Sequence, residues 1–154
     1  MILTSSIAFT AGPEGDPAKD PHGFRNYLWG TSFETINNIE KITFSGLIKL
    51  SDGKDLEIYC DETTDDKGVI ITYMFIDKKL SIGSIAVPIQ NKANMLDLVK
   101  KFWGEPTSIN KDGDFSWDFK FTKIDTKTDS SLELFDFTLF DSKFIRKYIE
   151  PLAE

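Results

Sequence analysis

Cysteine and histidine are nearly absent from this chain, since each occurs once among 154 residues. The lone cysteine, Cys60, excludes an intramolecular disulfide and every zinc site that needs two or more cysteines. Cysteine usage therefore does not reveal the redox compartment. The lone histidine, His22, follows Asp20 and Pro21 in a segment rich in proline and glycine. Because a catalytic imidazole needs partners that orient it, we predict that His22 is a solvated side chain.

Long apolar runs and an excess of positive charge are missing as well. No stretch approaches the ~20 apolar residues of a membrane-spanning helix, which predicts a soluble chain without a membrane span. The 18 lysines and arginines are outnumbered by 25 acids, and the net charge is −7. This balance argues against nucleic acid as a partner, because such binding depends on clustered cations. It permits a basic protein partner, and nothing in the sequence fixes an oligomeric state.

The sequence also lacks a recognisable catalytic set. It has no nucleophile with an evident base, no metal-ligand spacing and no glycine-rich phosphate loop. We therefore predict no catalytic residue, no metal, no cofactor and a protein that is not an enzyme. One enzymatic alternative stays open, namely a carboxylate-dependent hydrolase, because two acids suffice for glycoside hydrolysis and the chain has 25.

The first 22 residues allow two interpretations. Residues 2–11 are mostly apolar and end in small residues, as a signal peptide does, yet no basic residue precedes them. They are either a signal remnant of an exported or periplasmic protein, or an ordinary first strand of a cytoplasmic one. Residues 12–23 are rich in proline and glycine and predict a flexible surface linker. We expect a single folded domain over residues 23–154.

The strongest pattern in the chain lies within residues 68–106. The run 69–76 is rich in β-branched and aromatic residues, and a second run covers 80–89 after a polar turn, which predicts a β-hairpin. An amphipathic helix should follow, capped by Asn91 and ended by Gly104. Its apolar residues recur at three- and four-residue spacing: Met95, Leu96, Val99, Phe102 and Trp103.

Further strands are predicted on both sides of this unit. Residues 41–50 and 55–60 flank an Asp-Gly turn, and residues 115–121 alternate between aromatic and polar side chains. Residues 131–140 form the last strand, whose apolar residues change phase, which indicates either a bulge or burial of both faces. We expect a bulge near Leu134. Residues 123–130 read as a polar connection.

Two further helices complete the prediction. Thr31 and Glu34 have the spacing of a capping box, and Asp141 or Ser142 should cap a terminal helix. The fold class is therefore α+β, with a mainly antiparallel sheet of about six to eight strands and two or three helices packed on one face.

A short motif near the start of the domain carries a resemblance. Gly23-Phe24-Arg25 followed by Trp29-Gly30-Thr31, and later Trp103-Gly104-Glu105-Pro106, resembles a group of uncharacterised small bacterial α+β proteins with an F-R-x3-W-G-T opening. Proteins of that group are often exported. The resemblance implies the fold and export, and it implies no activity.

Two surfaces are candidates for binding. The acidic stretch 61–66 contains Asp61, Glu62, Asp65 and Asp66, and an aromatic groove is expected near Tyr27 and Trp29. These features favour a non-catalytic binding or accessory protein of bacterial origin. The alternative is a toxin-neutralising, immunity-type protein that binds a basic partner through its acidic loops.

Overall fold

The computed structural model describes residues 14–61 and 68–153, and within them the chain forms ten strands and three helices. Residues 1–13, which include the whole predicted signal remnant or first strand at 2–11, lie outside the described part, as do residues 62–67 of the acidic loop. The strands are β1 Gly23–Phe24, β2 Tyr27–Leu28, β3 Ile42–Lys49, β4 Asp55–Asp61, β5 Ile70–Ile76, β6 Lys79–Pro88, β7 Ser108–Ile109, β8 Phe115–Asp118, β9 Thr122–Asp129 and β10 Leu134–Asp141.

Eight of these described strands form one antiparallel sheet in the order β3-β4-β5-β6-β10-β9-β8-β7, and β1 pairs with β2 in a separate small hairpin. The helices are α1 Phe33–Ile39, α2 Lys92–Trp103 and α3 Ser142–Phe144. The last continues as a π-helical turn, Ile145–Ile149, and a 3-10 turn, Glu150–Ala153. The predicted α+β class is confirmed.

The central hairpin, β5–β6, is present as predicted. Its two-residue turn, Asp77-Lys78, has φ of 52° and 62°. Positive φ at both positions gives a turn whose twist matches that of the flanking strands. The turn also positions α1, since the carbonyl of Lys78 accepts a hydrogen bond of 2.8 Å from the Phe33 amide.

The two faces of the sheet bury different clusters because side chains alternate along each strand. On one face, Tyr73 and Phe75 of β5 pack in a cluster with Ile36 of α1 and Val99 of α2. The other face carries Leu56 and Ile82, which pack with Phe144, Ile145 and Tyr148 of the terminal helical segment. Helices α1 and α2 thus share one face, and the terminal helix lies on the other.

A glycine lets the small β1–β2 hairpin rest directly on the sheet. Phe24 of β1 is 1% exposed, and its ring lies against Gly83 of β6, where a Cβ atom would overlap the ring. The ring also meets Tyr73 edge-on at a centroid distance of 5.3 Å. The hairpin is therefore a packed part of the core.

Helix α2 follows the predicted pattern at its end and departs from it at its start. Gly104 ends the helix with φ of 77°, a conformation that suits glycine. Asn91 was predicted as the cap, but its side chain makes no capping bond, because a 3-10 turn, Ile89–Asn91, leads into the helix. Phe102 was placed on the apolar stripe and is 63% exposed.

The largest error of the sequence prediction concerns β9, which occupies the segment predicted as a polar connection. Its buried positions are Thr122, Ile124 and Thr126, and charged residues alternate with them. Only one of the three is strongly apolar, so the sequence shows no clear apolar periodicity of two in this segment. Strand β8 ends at Asp118, and Phe121 lies in the turn to β9, where it is 45% exposed.

Two smaller predictions were also wrong. No bulge occurs in β10, because its pairing with both neighbours runs without a register shift. Both faces of this strand are used instead, since Phe137 packs in one cluster and Phe140 in the other. In α1, the cap is Ser32, whose hydroxyl accepts a hydrogen bond from the Thr35 amide, one residue later than predicted.

Candidate functional site

A groove of about 620 Å³ lies at one end of the sheet. We call it the end groove. Three parts of the chain that are distant in sequence line it: the end of the β1–β2 hairpin, the β8–β9 turn, and the start of the terminal helix. Its lining residues are His22, Leu28, Trp29, Gly30, Lys120, Phe121, Asp141, Ser142, Lys143 and Arg146.

The register of the sheet brings two of these parts together. Asp141 of β10 is the pairing partner of Thr122 of β9. Just beyond this pair, the Ser142 amide donates a hydrogen bond of 3.1 Å to the Phe121 carbonyl. The turn before β9 therefore lies beside the first residues of the terminal helix.

Trp29 forms a wall of the end groove and is held at several points. Its indole N–H donates to the hydroxyl of the buried Thr122 at 3.0 Å. Its backbone amide donates to the His22 carbonyl at 3.0 Å, and the next amide, that of Gly30, donates to the Leu80 carbonyl at 2.9 Å. Both the backbone and the ring of Trp29 are thus fixed to the fold.

Asp20 holds the backbone of His22 and Phe121, whose rings form the second aromatic wall of the end groove. Its side chain accepts a hydrogen bond from the Phe121 amide at 2.9 Å and another from the His22 amide at 3.0 Å. Asp20 is only 8% exposed. The rings of His22 and Phe121 lie 4.7 Å apart, tilted by 32°. One carboxylate therefore sets the backbone positions of two neighbouring rings.

The remaining side of the groove is cationic. Lys120, Lys143 and Arg146 are all exposed, and within residues 14–61 and 68–153 none of them forms an ion pair. The one carboxylate on the lining, Asp141, accepts a hydrogen bond from the Lys143 amide at 3.0 Å and so caps the helix. In a chain of net charge −7, this groove has a local excess of positive charge.

A neighbouring cavity of about 390 Å³ shares Gly30, Asp141 and Lys143 with the end groove, and two of its other three cations, all but Lys79, are neutralised by carboxylates. Lys54 pairs with Asp77 at 2.6 Å, and Lys147 pairs with Asp52 at 3.3 Å. The hydrogen bond from the Tyr148 hydroxyl lowers the pKa of Asp52 to about 2, so this carboxylate stays charged. Of these two cavities, the end groove is the one in which every lysine and arginine of the lining lacks an ion pair among the described residues.

The predicted acidic site is described only in part. Asp61 ends β4 and is 4% exposed, and its carboxylate lies 3.3 Å from the Arg25 guanidinium. Glu62, Asp65 and Asp66 lie outside the described residues. Because Asp61 is buried and paired with Arg25, it stabilises the fold at this point.

Besides Asp61, Arg25 contacts two further polar side chains, those of Glu40 and Tyr73. It lies 3.5 Å from the Glu40 carboxylate and donates to the Tyr73 hydroxyl at 2.5 Å. Although burial alone would lower the pKa of Arg25, the neighbouring Tyr73, Glu40 and Asp61 raise it. Burial, and then the interaction with Glu40, raises the pKa of Tyr27, whose hydroxyl donates to Glu40 at 2.5 Å.

Of the two predicted aromatic residues, Trp29 lines the end groove, whereas Tyr27 belongs to the Arg25 network. The sequence prediction missed Lys120, Phe121, Lys143 and Arg146, and it treated His22 as solvated. His22 is exposed, but its ring lies against Phe121. The available signal was the pair of cations at 143 and 146, on the polar side of a helix whose other side is apolar.

The described residues contain no group of three histidine, cysteine or acidic side chains arranged to hold a metal ion. Cys60 is half-buried in β4, with its sulfur 3.9 Å from the Thr72 hydroxyl. Within the described ranges, no helix has the length and apolar character needed to cross a bilayer. The arrangement of the end groove suits binding by stacking and by charge.

No protein-family model, curated protein sequence or solved structure matches this chain. The resemblance carried by the Phe24-Arg25 and Trp29-Gly30-Thr31 motif therefore stays a prediction. Structurally, Phe24 anchors the hairpin to Gly83 and Trp29 forms a wall of the groove.

Proposed function

We propose that this protein is a non-catalytic binding protein that takes a small ligand in the end groove. One observation carries the proposal: aromatic side chains on a hydrogen-bonded backbone and unpaired cations line the same concave site. Pockets for small ligands typically measure about 300–1,000 Å³ and combine apolar walls with a few polar groups. The end groove, at about 620 Å³, has this size and composition.

The fixed walls support binding because little of the site has to be ordered by a ligand. Trp29 is held by Thr122, and the backbone of Phe121 is held by Asp20. Preorganised groups lose less conformational entropy on binding, so more of the interaction energy appears as affinity. The cations are exposed and bear charge without a competing carboxylate partner among the described residues.

The other two functions stay predictions of the sequence. The immunity-type interpretation relies on the surface of residues 61–66, of which Asp61 is buried and the others lie outside the described part. The hydrolase interpretation needs two available carboxylates. Glu40 and Asp61 lie near each other, but both are paired with Arg25.

The proposal can be tested by chemical-shift mapping on 15N-labelled protein. Five compounds serve as probes. Phenyl phosphate and benzoate are aromatic anions, phenol and glucose are neutral, and benzylamine is a cation. We expect at least one anion to shift the amides of Trp29, Phe121 and Lys143 in a saturable way, and benzylamine to leave them unchanged. If no probe shifts these amides, the proposed function is wrong.

A pair of variants with the same charge change controls this experiment. Arg146→Glu alters the groove, whereas Lys111→Glu alters an exposed turn at the other end of β8. Both change the net charge equally, so a general electrostatic effect would appear in both. We expect the shifts to be lost in Arg146→Glu and kept in Lys111→Glu.

A further inference from the structure

We propose that the ligand of the end groove is a small aromatic phosphate monoester. Its phosphate binds Lys120, Lys143 and Arg146, and its ring packs against the aromatic wall formed by Trp29 and Phe121. This inference rests on the proposed function, because it specifies the ligand class of the same site. It follows from the charge balance, the type of cation and the exposed apolar surface of the groove.

The charge balance favours a dianion. Three cations face one carboxylate, Asp141, which already accepts the hydrogen bond from the Lys143 amide. A phosphate monoester carries a charge of about −1.5 to −2 at neutral pH. A carboxylate carries only a single charge and would leave positive charge uncompensated in the groove. A phosphate therefore matches the local excess more closely.

The types of cation fit the same group. The planar guanidinium of Arg146 can donate two parallel hydrogen bonds to phosphate oxygens, and the ammonium groups of Lys120 and Lys143 act as mobile point charges. Lys143 and Arg146 lie three positions apart at the start of the terminal helix, and both line the groove. Lys120 approaches from the β8–β9 turn, so cations reach the phosphate from two elements.

The apolar surface explains why the phosphate should carry a ring. Leu28 is 66% exposed and Phe121 is 45% exposed, and both line the groove together with Trp29. Inorganic phosphate would leave this surface in water. A planar aromatic substituent would cover part of it, at a gain of about 25 cal/mol for each Å² of apolar surface removed from water. The Lys120 ammonium, 5.3 Å from the Phe121 ring centre, can move toward the phosphate.

Isothermal titration calorimetry with four compounds tests the ligand class. The compounds are phenyl phosphate, inorganic phosphate, benzoate and phenol, each titrated into the wild-type protein. We expect phenyl phosphate to bind at least about tenfold more tightly than any of the others, because it alone satisfies both the cations and the wall. Equal or tighter binding of benzoate or phenol would overturn the phosphate assignment, and equal binding of inorganic phosphate would overturn the aromatic one.

Two groove variants and one control separate the two halves of the ligand. Arg146→Glu should weaken phenyl phosphate at least about tenfold, and Lys111→Glu should leave it unchanged. Phe121→Leu should weaken phenyl phosphate severalfold while changing inorganic phosphate little. Circular dichroism and a melting curve verify that each variant is folded. If the two glutamate variants behave alike, the site assignment is wrong.

The outcomes distinguish this inference from the proposed function. If benzoate shifts the groove amides and binds as tightly as phenyl phosphate, the ligand class is wrong and the binding function stands. If none of the four compounds binds and none shifts the amides of Trp29, Phe121 or Lys143, both are wrong.

Discussion

Asp20 is the residue whose loss should affect the end groove most directly, although its own side chain does not line it. Its carboxylate accepts hydrogen bonds from the amides of His22 and Phe121, and it is 8% exposed. Asp20→Ala leaves two backbone N–H groups without these acceptors. We therefore expect a loss of stability together with a displaced aromatic wall.

The size of the effect follows from the two bonds. A hydrogen bond to a charged acceptor contributes about 1.5–3 kcal/mol, and the two bonds share one carboxylate, so they are not additive. We expect Asp20→Ala to lower the free energy of unfolding by about 2–4 kcal/mol. For a domain of this size, that corresponds to a melting temperature lower by roughly 5–15 °C. Asp20→Asn keeps one acceptor and should lose about half as much.

Urea denaturation, followed by tryptophan fluorescence, measures the loss. Asp16→Ala is a matched control, since Asp16 accepts a single exposed hydrogen bond from the Ala18 amide at 3.0 Å. It should cost under about 1 kcal/mol. A loss for Asp20→Ala that is no larger than that of Asp16→Ala, with unchanged amide shifts at His22 and Phe121, would refute the role given to Asp20.

Three further predictions concern the core and two carboxylates. Trp117→Ala should cost about 3–5 kcal/mol in urea denaturation, because Trp117 is fully buried and its indole N–H donates to the Gly104 carbonyl at 2.9 Å; a cost below about 1 kcal/mol would contradict its place in the core. Burial raises the pKa of Asp136 above its ordinary value of ~4, so between that value and the raised pKa the native state binds more protons than the unfolded state, and stability falls as pH rises through this interval. Asp136→Asn should therefore flatten the loss of stability with rising pH in melting curves, and an unchanged profile would count against it. The lowered pKa of Asp52, about 2, implies a contribution to the free energy of unfolding that is complete above pH ~4 and lost as pH falls toward 2. Asp52→Asn should therefore reduce the loss of stability between pH ~4 and 2, and a loss equal to that of the wild type would argue against the bond to Tyr148.

The central hairpin was predictable because its signals are local. The β-branched residues of β5, the polar pair Asp77-Lys78 and the apolar residues of β6 all lie within one short stretch. Strand β9 lacked such a signal, since threonine occupies two of its buried positions, 122 and 126. Threonine suits a strand as well as a loop, and its burial here depends on neighbours from β8 and β10. Only the assembled sheet identifies it as a strand.

The linker prediction shows a related limit. Residues 14–22 have the composition of a loop, yet they lie against the sheet: the Gly15 amide donates to the Asp118 carbonyl at 2.9 Å, and Asp20 is buried beneath Phe121. Hydrogen bonds of this kind join positions about a hundred residues apart, and Asp20 and Phe121 are separated by 101. Composition reports how flexible a free segment would be, whereas these contacts depend on where the segment is placed.

The net charge of the chain is negative and so did not indicate that the end groove is positively charged. Net charge describes the whole surface, whereas a bound anion responds mainly to charges within about one Debye length, roughly 8–10 Å at physiological salt. Lys120 is separated in sequence from Lys143 and Arg146 by acids such as Asp125 and Asp141, so no short window of the sequence contains all three groove cations. They meet because β9 and β10 are neighbours and pair Thr122 with Asp141. A local field of this kind is a consequence of strand register, and only an argument that includes the register can predict it.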